Sequence, residues 1–294
     1  MKNLIYTIVV STLILFKMEA QNTQTVTTGN FKLQVYNASE NSFGVASVII
    51  SGKEDAILID AQFTLEDAEK VASEIKASGK NLKTIFVSHG DPDFYFGLQV
   101  FKNHFPDVTV YATPATVEHI KATAQKKLDV WGGKLGDLIA SNVVLPQVLK
   151  GSSLELEGEK LEIIGLEDFA TKTFVYIPSS KAVIGGINVF SDSFHPWMAD
   201  AQTTEARTNW IKVLDKITSL QPSVVIPAHG NASTQLNLTS VQHTKDYIKF
   251  YENALKAKPT SVELIKILKK QYPTATFETA LQIGAKVNTG EMKW

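Results

Sequence analysis

The sequence predicts an α/β fold in which two β-rich halves pack face to face with helices outside them, a four-layer αββα sandwich. Hairpins followed by a helix and a further strand occur twice, about 120 residues apart. No linker-like stretch separates the two series. The chain has 294 residues, 44% of them hydrophobic, which is enough to fill a sizeable core. A sheet that is apolar on one face must bury that face, so the two predicted sheets are expected to stack on one another.

The first half alternates β-type runs with amphipathic helices. A turn at 51–55 separates two of the runs as in a hairpin. Thr64 is a suitable N-cap for the first helix, and Gly79 is a suitable stop. The expected elements are strands at 31–36, 43–50 and 56–59, a helix at 64–78, a strand at 84–87, a helix at 94–104, a strand at 108–112 and a helix at 114–135.

The second half repeats this order and is followed by a helical tail. Pro259 and Pro273 punctuate the tail. The tail is expected to pack on the same domain, either as packing helices or as a cap that shapes a pocket. The expected elements are strands at 154–156, 161–164, 173–177 and 182–186, a helix at 204–220, a strand at 224–226, and helices at 240–256, 261–271 and 276–285.

The first 20 residues have the pattern of an export signal. Lys2 precedes an apolar stretch at 4–16, and Met18-Glu19-Ala20 supplies a small-residue cleavage point. The sequence therefore predicts a signal peptide at 1–20, a sandwich domain at 21–238 and a helical extension at 239–294. The protein is expected to be periplasmic or secreted, with no stable membrane anchor after cleavage. An uncleaved anchor is the alternative.

Composition narrows the classes of partner and site. A formal net charge of −1 gives no indication of nucleic-acid binding. The sequence contains no cysteine, which excludes disulfides, thiolate zinc ligands and cysteine nucleophiles. A small-molecule substrate is the expected partner, and the oligomeric state is not predicted.

A histidine–aspartate loop follows the strand at 84–87. His89, Asp91 and Asp93 occupy alternate positions, and alternate side chains of extended backbone point the same way. One short loop therefore presents an imidazole and two carboxylates together. His229 follows the strand at 224–226, in the corresponding place of the second half.

These motifs resemble those of the metallo-β-lactamase superfamily over residues 31–230. That family has an αββα sandwich and the motif His-x-His-x-Asp-His after an apolar strand. His89 and Asp93 fit this motif, and His229 fits the final histidine of the family. Asp91 replaces the second histidine, and Phe94 replaces the third. The run His-Gly-Asp-Pro-Asp-Phe-Tyr-Phe-Gly resembles a divergent branch of the superfamily.

Two further family positions also differ. Residues 165–168 lie where a later histidine is expected but contain none, and Ile187 follows Gly186 where the family has a bridging aspartate. The resemblance therefore implies a single divalent ion rather than a pair, or no ion. Oxygen and nitrogen donors suit zinc first, with manganese and iron as alternatives. The candidate ligands are His89, Asp91, Asp93, His229 and His195.

Catalytic and pocket roles follow from the same residues. A carboxylate left uncoordinated, at Asp91 or Asp93, is a candidate general base, and the Tyr95 hydroxyl is a candidate donor to an oxyanion. Asp60, at a strand end, and Asp168 are expected to support the site without touching the substrate. The candidate pocket residues are Phe94, Tyr95, Trp131 and Trp197.

Each candidate also has a purely structural interpretation. Asp93 is a suitable N-cap for the helix that follows, and Asp91 precedes Pro92 as in a turn. His89 and His229 are equally suited to hydrogen-bonding loops at strand ends. His195 lies in an apolar run and is suited to packing.

Two classes of function are consistent with this pattern. One is an exported metal-dependent hydrolase acting on a small ester, lactone or amide. The other is a non-catalytic small-molecule-binding protein on the same fold with the metal site lost. Metal-independent acid–base catalysis by the same residues is a third hypothesis.

Overall fold

The predicted four-layer αββα sandwich is confirmed by the computed structural model, which describes residues 22–294. The predicted signal peptide at 1–20 lies outside these residues. The first sheet has seven strands in chain order, antiparallel from β1 to β4 and parallel from β4 to β7. They are β1 (Thr23–Thr28), β2 (Phe31–Asn37), β3 (Ala46–Ser51), β4 (Asp55–Ile59), β5 (Asn81–Val87), β6 (Thr109–Ala112) and β7 (Gln147–Val148).

The second sheet has five strands and repeats this plan. Its first four strands are antiparallel neighbours, and the fifth pairs in parallel with the fourth. The antiparallel hairpins and the later parallel crossover are the repeat expected from the sequence. The strands are β8 (Ser153–Leu156), β9 (Glu159–Ile164), β10 (Phe174–Ile177), β11 (Ala182–Ile184) and β12 (Val224–Val225).

Eight α-helices accompany the sheets in residues 22–294, and none of them is both long and apolar enough to cross a membrane. The first is capped as expected, because the Thr64 hydroxyl accepts from the Asp67 amide and Gly79 ends the helix in the left-handed region. The helices are α1 (Leu65–Ser78), α2 (Pro92–Tyr95), α3 (Leu98–His104), α4 (Pro114–Leu135), α5 (Thr204–Ser219), α6 (Leu238–Leu255), α7 (Ser261–Gln271) and α8 (Glu278–Asn288).

Strand β3 is buried on both faces and therefore shows how the layers stack. Val48 and Ile50 belong to the core between the two sheets, with Leu161 and Val175 of the second sheet. Ile49, between them in sequence, belongs to the core beneath the helices. Because alternate side chains of β3 point to opposite faces of the sheet, this one strand contributes to both cores.

The helix expected at 94–104 is two helices, and the prediction that Asp93 is its N-cap is wrong. A Cβ at Gly97 would lie 2.0 Å from the Ala61 carbonyl oxygen, so only glycine lets the two backbones approach this closely at the start of α3. The first piece begins at Pro92, which makes Asp91 the N-cap residue, without a side-chain cap bond. Asp93 therefore lies inside the first turn. Proline is favoured at this first helical position because its missing N–H needs no partner there.

The C-terminal helices pack onto the sandwich. The Thr276 amide donates to the Ser193 carbonyl at 2.8 Å, and the His195 amide donates to the Thr276 carbonyl at 3.0 Å. Phe277 follows in the left-handed region, at φ 68°, where a bulky side chain is uncommon. These contacts bring its ring to the edge of the two sheets, where the site lies.

A candidate binding site at one edge of the two sheets

The carboxyl ends of the parallel strands β4, β5, β11 and β12 meet at one edge of the molecule. The segment after β12 joins the two sheets there, because His229 forms isolated bridges with both Val45 and Phe190. The Ala46 amide also donates to the Ala228 carbonyl at 2.8 Å. Loops from both halves therefore converge, and His89 and His229 line the same cleft.

Asp60 helps to link these loops by hydrogen bonds through Ser88. Its carboxylate accepts from the Ser88 amide at 2.7 Å and from the Ser88 hydroxyl at 2.6 Å. The Gly186 amide donates to that same hydroxyl at 2.7 Å, which ties the first half to the second. Burial raises the pKa of Asp60 to about 7. Asp60 thus lies beneath the site and contacts the loop that carries His89.

The first of two histidine–aspartate pairs is charged and partly open. His89 Nε2 lies 3.3 Å from Asp91 Oδ2, and the Asp91 side chain is 25% exposed. The Lys127 ammonium donates to Asp91 Oδ1 and to the Gly90 carbonyl, both at 2.9 Å. Although burial alone would raise it, the pKa of Asp91 is held below its ordinary value by His89 and Lys127. Asp91 is therefore an ionised carboxylate.

The second pair is buried and neutral. His229 Nε2 lies 3.7 Å from Asp93 Oδ2, and the Asp93 side chain is 9% exposed. Burial and the charge of Asp91 raise the pKa of Asp93 well above its ordinary value. Burial lowers the pKa of His229 to about 4. Burial therefore favours the protonated carboxyl of Asp93 and the neutral imidazole of His229.

The tautomer of His229 is set by the backbone. Nδ1 lies 3.0 Å from the Phe43 carbonyl oxygen, which can only accept, so Nδ1 carries the hydrogen. Its lone pair is then on Nε2, which faces Asp93. The ring is held between Phe190, at a centroid distance of 4.9 Å, and Phe277, at 5.7 Å.

Phe94 contacts the histidines of both pairs. Its ring makes edge contacts with His89 at 5.3 Å and with His229 at 5.8 Å, and it is fully buried. A catalytic zinc needs about three protein donors and an open position. Within residues 22–294 no three histidine or carboxylate side chains are gathered closely enough to hold an ion. As placed, the donors of the two pairs do not fit the metal centre that the family resemblance implies.

Three other candidates lie away from the cleft. His195 is fully buried, and its Nδ1 lies 3.0 Å from the Tyr247 hydroxyl in the helical layer. Tyr95 is also fully buried, with its ring edge-on to Phe96. Its hydroxyl has no hydrogen-bond partner among the described residues. Asp168 is exposed and is not part of the cleft lining. Tyr95 points into the core because it lies inside helix α2, whose residues are all buried.

The cleft has a volume of about 800 Å³, and its wall is an arc of aromatic rings. Trp131 and Trp197 belong to this arc, whereas Phe94 is fully buried and does not line the cleft. Neighbouring rings are 5.4 to 5.9 Å apart along the series Trp131, Phe43, Phe277, Trp197 and Trp294. The C-terminal helices therefore supply part of the wall.

Ammonium groups surround the mouth and floor of the cleft. The Lys172 ammonium lies 4.2 Å from the Trp210 ring centroid, and that of Lys134 lies 4.8 Å from the Trp131 ring centroid. Asp200 accepts from the Trp294 indole at 2.6 Å, and burial and Asp91 raise its pKa. The lysines that line the cleft are Lys126, Lys127, Lys134, Lys172 and Lys293.

Sequence reasoning missed both Lys127 and His119. His119 is exposed, but it lines the cleft and its Nε2 lies 3.1 Å from the Lys127 ammonium. A signal for both was present, because residues four apart on a helix share a face. On α4 the cleft-lining residues include His119, Thr123, Lys127 and Trp131.

Comparisons with known proteins agree with this geometry. A family model described as the metallo-beta-lactamase superfamily matches residues 41–229. The chain is similar in structure to the metallo-beta-lactamase from Pontibacter korlensis, with a TM-score of 0.52, 16% identity and coverage of 77% of this chain and 99% of that one.

Two further solved structures are similar to the same extent. The metallo-beta-lactamase IND-7 gives a TM-score of 0.55 at 18% identity, covering 79% of this chain and 100% of that one. DIM-1 metallo-beta-lactamase gives 0.52 at 19% identity, covering 79% and 99%. Identities this low concern the fold alone. No curated protein sequence matches the chain.

Proposed function

Because the chain belongs to the metallo-β-lactamase superfamily, we propose that it keeps the ligand cleft of that fold and binds a small molecule there without the family's metal centre. The observation that carries this proposal is that the candidate donors form two separate histidine–aspartate pairs, with the buried Phe94 ring in contact with the histidine of each. Neither pair has a third donor among the described residues.

The lining of the cleft indicates the class of ligand. The aromatic arc suits a flat apolar ring, which stacks on tryptophan and phenylalanine. Among the residues that the structure describes, five lysines line the cleft against three aspartates, and one of these, Asp91, is already paired with Lys127. Lys172 is half-buried and contacts the Trp210 ring. We therefore expect a small aromatic or alicyclic acid.

Thermal melting with paired probes tests this ligand class. Benzoate and indole-3-acetate, but not their neutral amides, are expected to raise the melting temperature of the metal-free protein. Bound ligand at about 100 times its Kd adds about 2.7 kcal/mol to the free energy of unfolding.

Two lysine variants supply the control. Lys172→Met is expected to remove the preference for the acids, whereas Lys266→Met, on the exposed surface of α7 outside the cleft, is expected to keep it. Equal shifts with acids and amides in the wild type would contradict the charge argument.

A single-ion hydrolase acting on a small ester, lactone or amide is the second candidate. It is favoured by the placement of His89 and His229 on one cleft, each beside a carboxylate. Elemental analysis of protein prepared without chelator separates the two candidates. About one equivalent of zinc, manganese or iron, with ester or lactone turnover lost in His229→Ala, would replace the binding proposal by this one.

Export is a further part of the proposal. Its support is the sequence pattern of Lys2, the apolar stretch at 4–16 and Ala20. N-terminal sequencing of the full chain expressed in a bacterium is expected to give mature protein that begins at Gln21, in the periplasmic fraction. Retention of Met1 on cytoplasmic protein would contradict it.

A further inference from the structure

Lys172 presents an amino group to the cleft without a carboxylate partner. Its side chain is half-buried, and its nitrogen lies 4.2 Å from the centroid of the Trp210 ring. Trp210 is buried and is not part of the cleft lining, so the ring lies behind the nitrogen. Among residues 22–294 no group forms an ion pair or a hydrogen bond with this nitrogen, which is therefore available to a ligand. By contrast, the Lys127 ammonium on the same cleft is paired with Asp91.

The chain segment that carries Lys172 is held from behind the cleft. The Asn188 side-chain amide donates to the Lys172 carbonyl at 2.9 Å. The Trp210 indole donates in turn to the Asn188 carbonyl at 2.8 Å. The ring behind the amine and the backbone that carries the amine therefore belong to one hydrogen-bonded unit, which fixes the point from which the side chain extends.

Burial makes Lys172 more reactive than an exposed lysine. It lowers the pKa of the amine, because an aromatic face replaces only part of the hydration that an ammonium loses. Asp200 and Asp91 act in the opposite direction, but neither forms an ion pair with Lys172. A lowered pKa leaves a larger fraction of free amine at a given pH, and the free amine is the form that attacks a carbonyl carbon.

We propose that the free amine of Lys172 captures aromatic aldehydes in the cleft as imines. The nitrogen lone pair forms a bond to the carbonyl carbon while the carbon–oxygen π bond breaks, and one amine hydrogen moves to the oxygen as a proton. The hydroxyl then leaves as water with the second amine hydrogen, and the carbon–nitrogen double bond forms. The step is neither an oxidation nor a reduction, so it needs no co-reactant.

The lining of the cleft selects the class of aldehyde. The aromatic arc suits a flat ring, and Lys172 lines the same cleft. An aromatic aldehyde carries its carbonyl directly on the ring, so one molecule meets both features. This inference rests on the proposed function only in requiring that such a ring enters the cleft. The ammonium form of Lys172 still pairs with acids, so acids and aldehydes are expected to compete.

Reductive trapping with benzaldehyde and cyanoborohydride tests the inference, because hydride addition to the imine carbon leaves a stable benzyl group on the nitrogen. Peptide mapping of the full chain by mass spectrometry is expected to find Lys172 labelled at pH 7 at least about tenfold faster than Lys266, since each unit by which a lysine pKa falls raises the free-amine fraction about tenfold. Lys266 lies on the exposed surface of α7. Propanal, which has no ring, is expected to show a smaller preference for Lys172.

Two variants and one competitor make each outcome decisive. Lys172→Arg is expected to lose the fast labelling, and Lys266→Met is expected to keep it. If Lys172→Arg does not fold, the site-by-site rates in the wild type carry the comparison alone. Labelling of Lys172 no faster than that of Lys266, or an equal preference with propanal, overturns the inference.

Benzoate separates this inference from the proposed function. It is expected to slow the labelling of Lys172 by benzaldehyde. Fast labelling that benzoate leaves unchanged, with no rise in melting temperature, would support the imine and contradict the proposed acid site. A rise in melting temperature with benzoate but no fast labelling would overturn the imine alone.

Discussion

The two ends of the cleft floor contain the same pair of residue types in opposite electrostatic states. At the outer end, Asp91 is ionised between His89 and the Lys127 ammonium. At the inner end, burial favours the protonated carboxyl of Asp93 and the neutral imidazole of His229. The distance between imidazole and carboxylate differs little, 3.3 Å against 3.7 Å. The environment of each pair decides its charge, because only the outer one has a cation and access to solvent.

Substitution of Phe94, whose ring contacts both histidines, is expected to have the largest effect on this difference. Phe94→Ala is expected to reduce the free energy of unfolding by about 3–5 kcal/mol, because the ring is fully buried and leaves a cavity. Urea unfolding measures this loss. Phe96→Ala removes an equally buried ring that does not separate the pairs and is the matched control.

Histidine titration by NMR distinguishes the two alanine variants. Only Phe94→Ala is expected to raise the pKa of His229 toward its ordinary value, because water reaches the inner pair. An unchanged His229 titration in that variant would mean that the Phe94 ring does not shield His229 from water.

The pH dependence of stability sharpens the comparison, because the two aspartates are shifted in opposite directions. The pKa of Asp93 is raised. Its contribution to the free energy of unfolding is therefore complete below the ordinary pKa of about 3.9 and is lost as pH rises through the pKa of the folded state. The pKa of Asp91 is lowered, so its contribution is present above about 3.9 and is lost as pH falls through the folded value.

Urea unfolding at pH 3 to 9 measures these opposite slopes. Relative to the wild type, Asp93→Asn is expected to gain stability at high pH and Asp91→Asn to gain it at low pH, by about 1.4 kcal/mol per unit of pKa shift. Glu205→Gln, on the exposed surface of α5, supplies a reference. Slopes of the same sign for both variants would mean that the two pairs share one charge state.

The smallest effect is expected from the same two variants at pH 7. Asp93→Asn is expected to change the free energy of unfolding by less than about 1 kcal/mol, because a protonated carboxyl and an amide have the same shape. Asp91→Asn is expected to cost about 1–3 kcal/mol, because it leaves Lys127 without its charged partner. Thermal and urea unfolding check the order, and a larger loss in Asp93→Asn would reverse the assignment.

The fold was predictable from local signals, whereas half of the site was not. The caps Thr64 and Gly79 act within one helix, so their meaning is local. Strand β1 escaped prediction because its polar, half-exposed residues lack the alternation of a buried strand. The residues of a family motif can be recognised in the sequence, but the lysine that pairs with Asp91 from 36 residues away cannot. It becomes visible only when α4 is seen to lie along the loop.

One of the two rings that stack on His229 is Phe277, which belongs to the C-terminal extension. Phe277 enters in a left-handed conformation and closes over His229, while Trp197 continues the wall beside it. The extension is therefore part of the binding surface itself, because without Phe277 the imidazole of His229 would face water on that side.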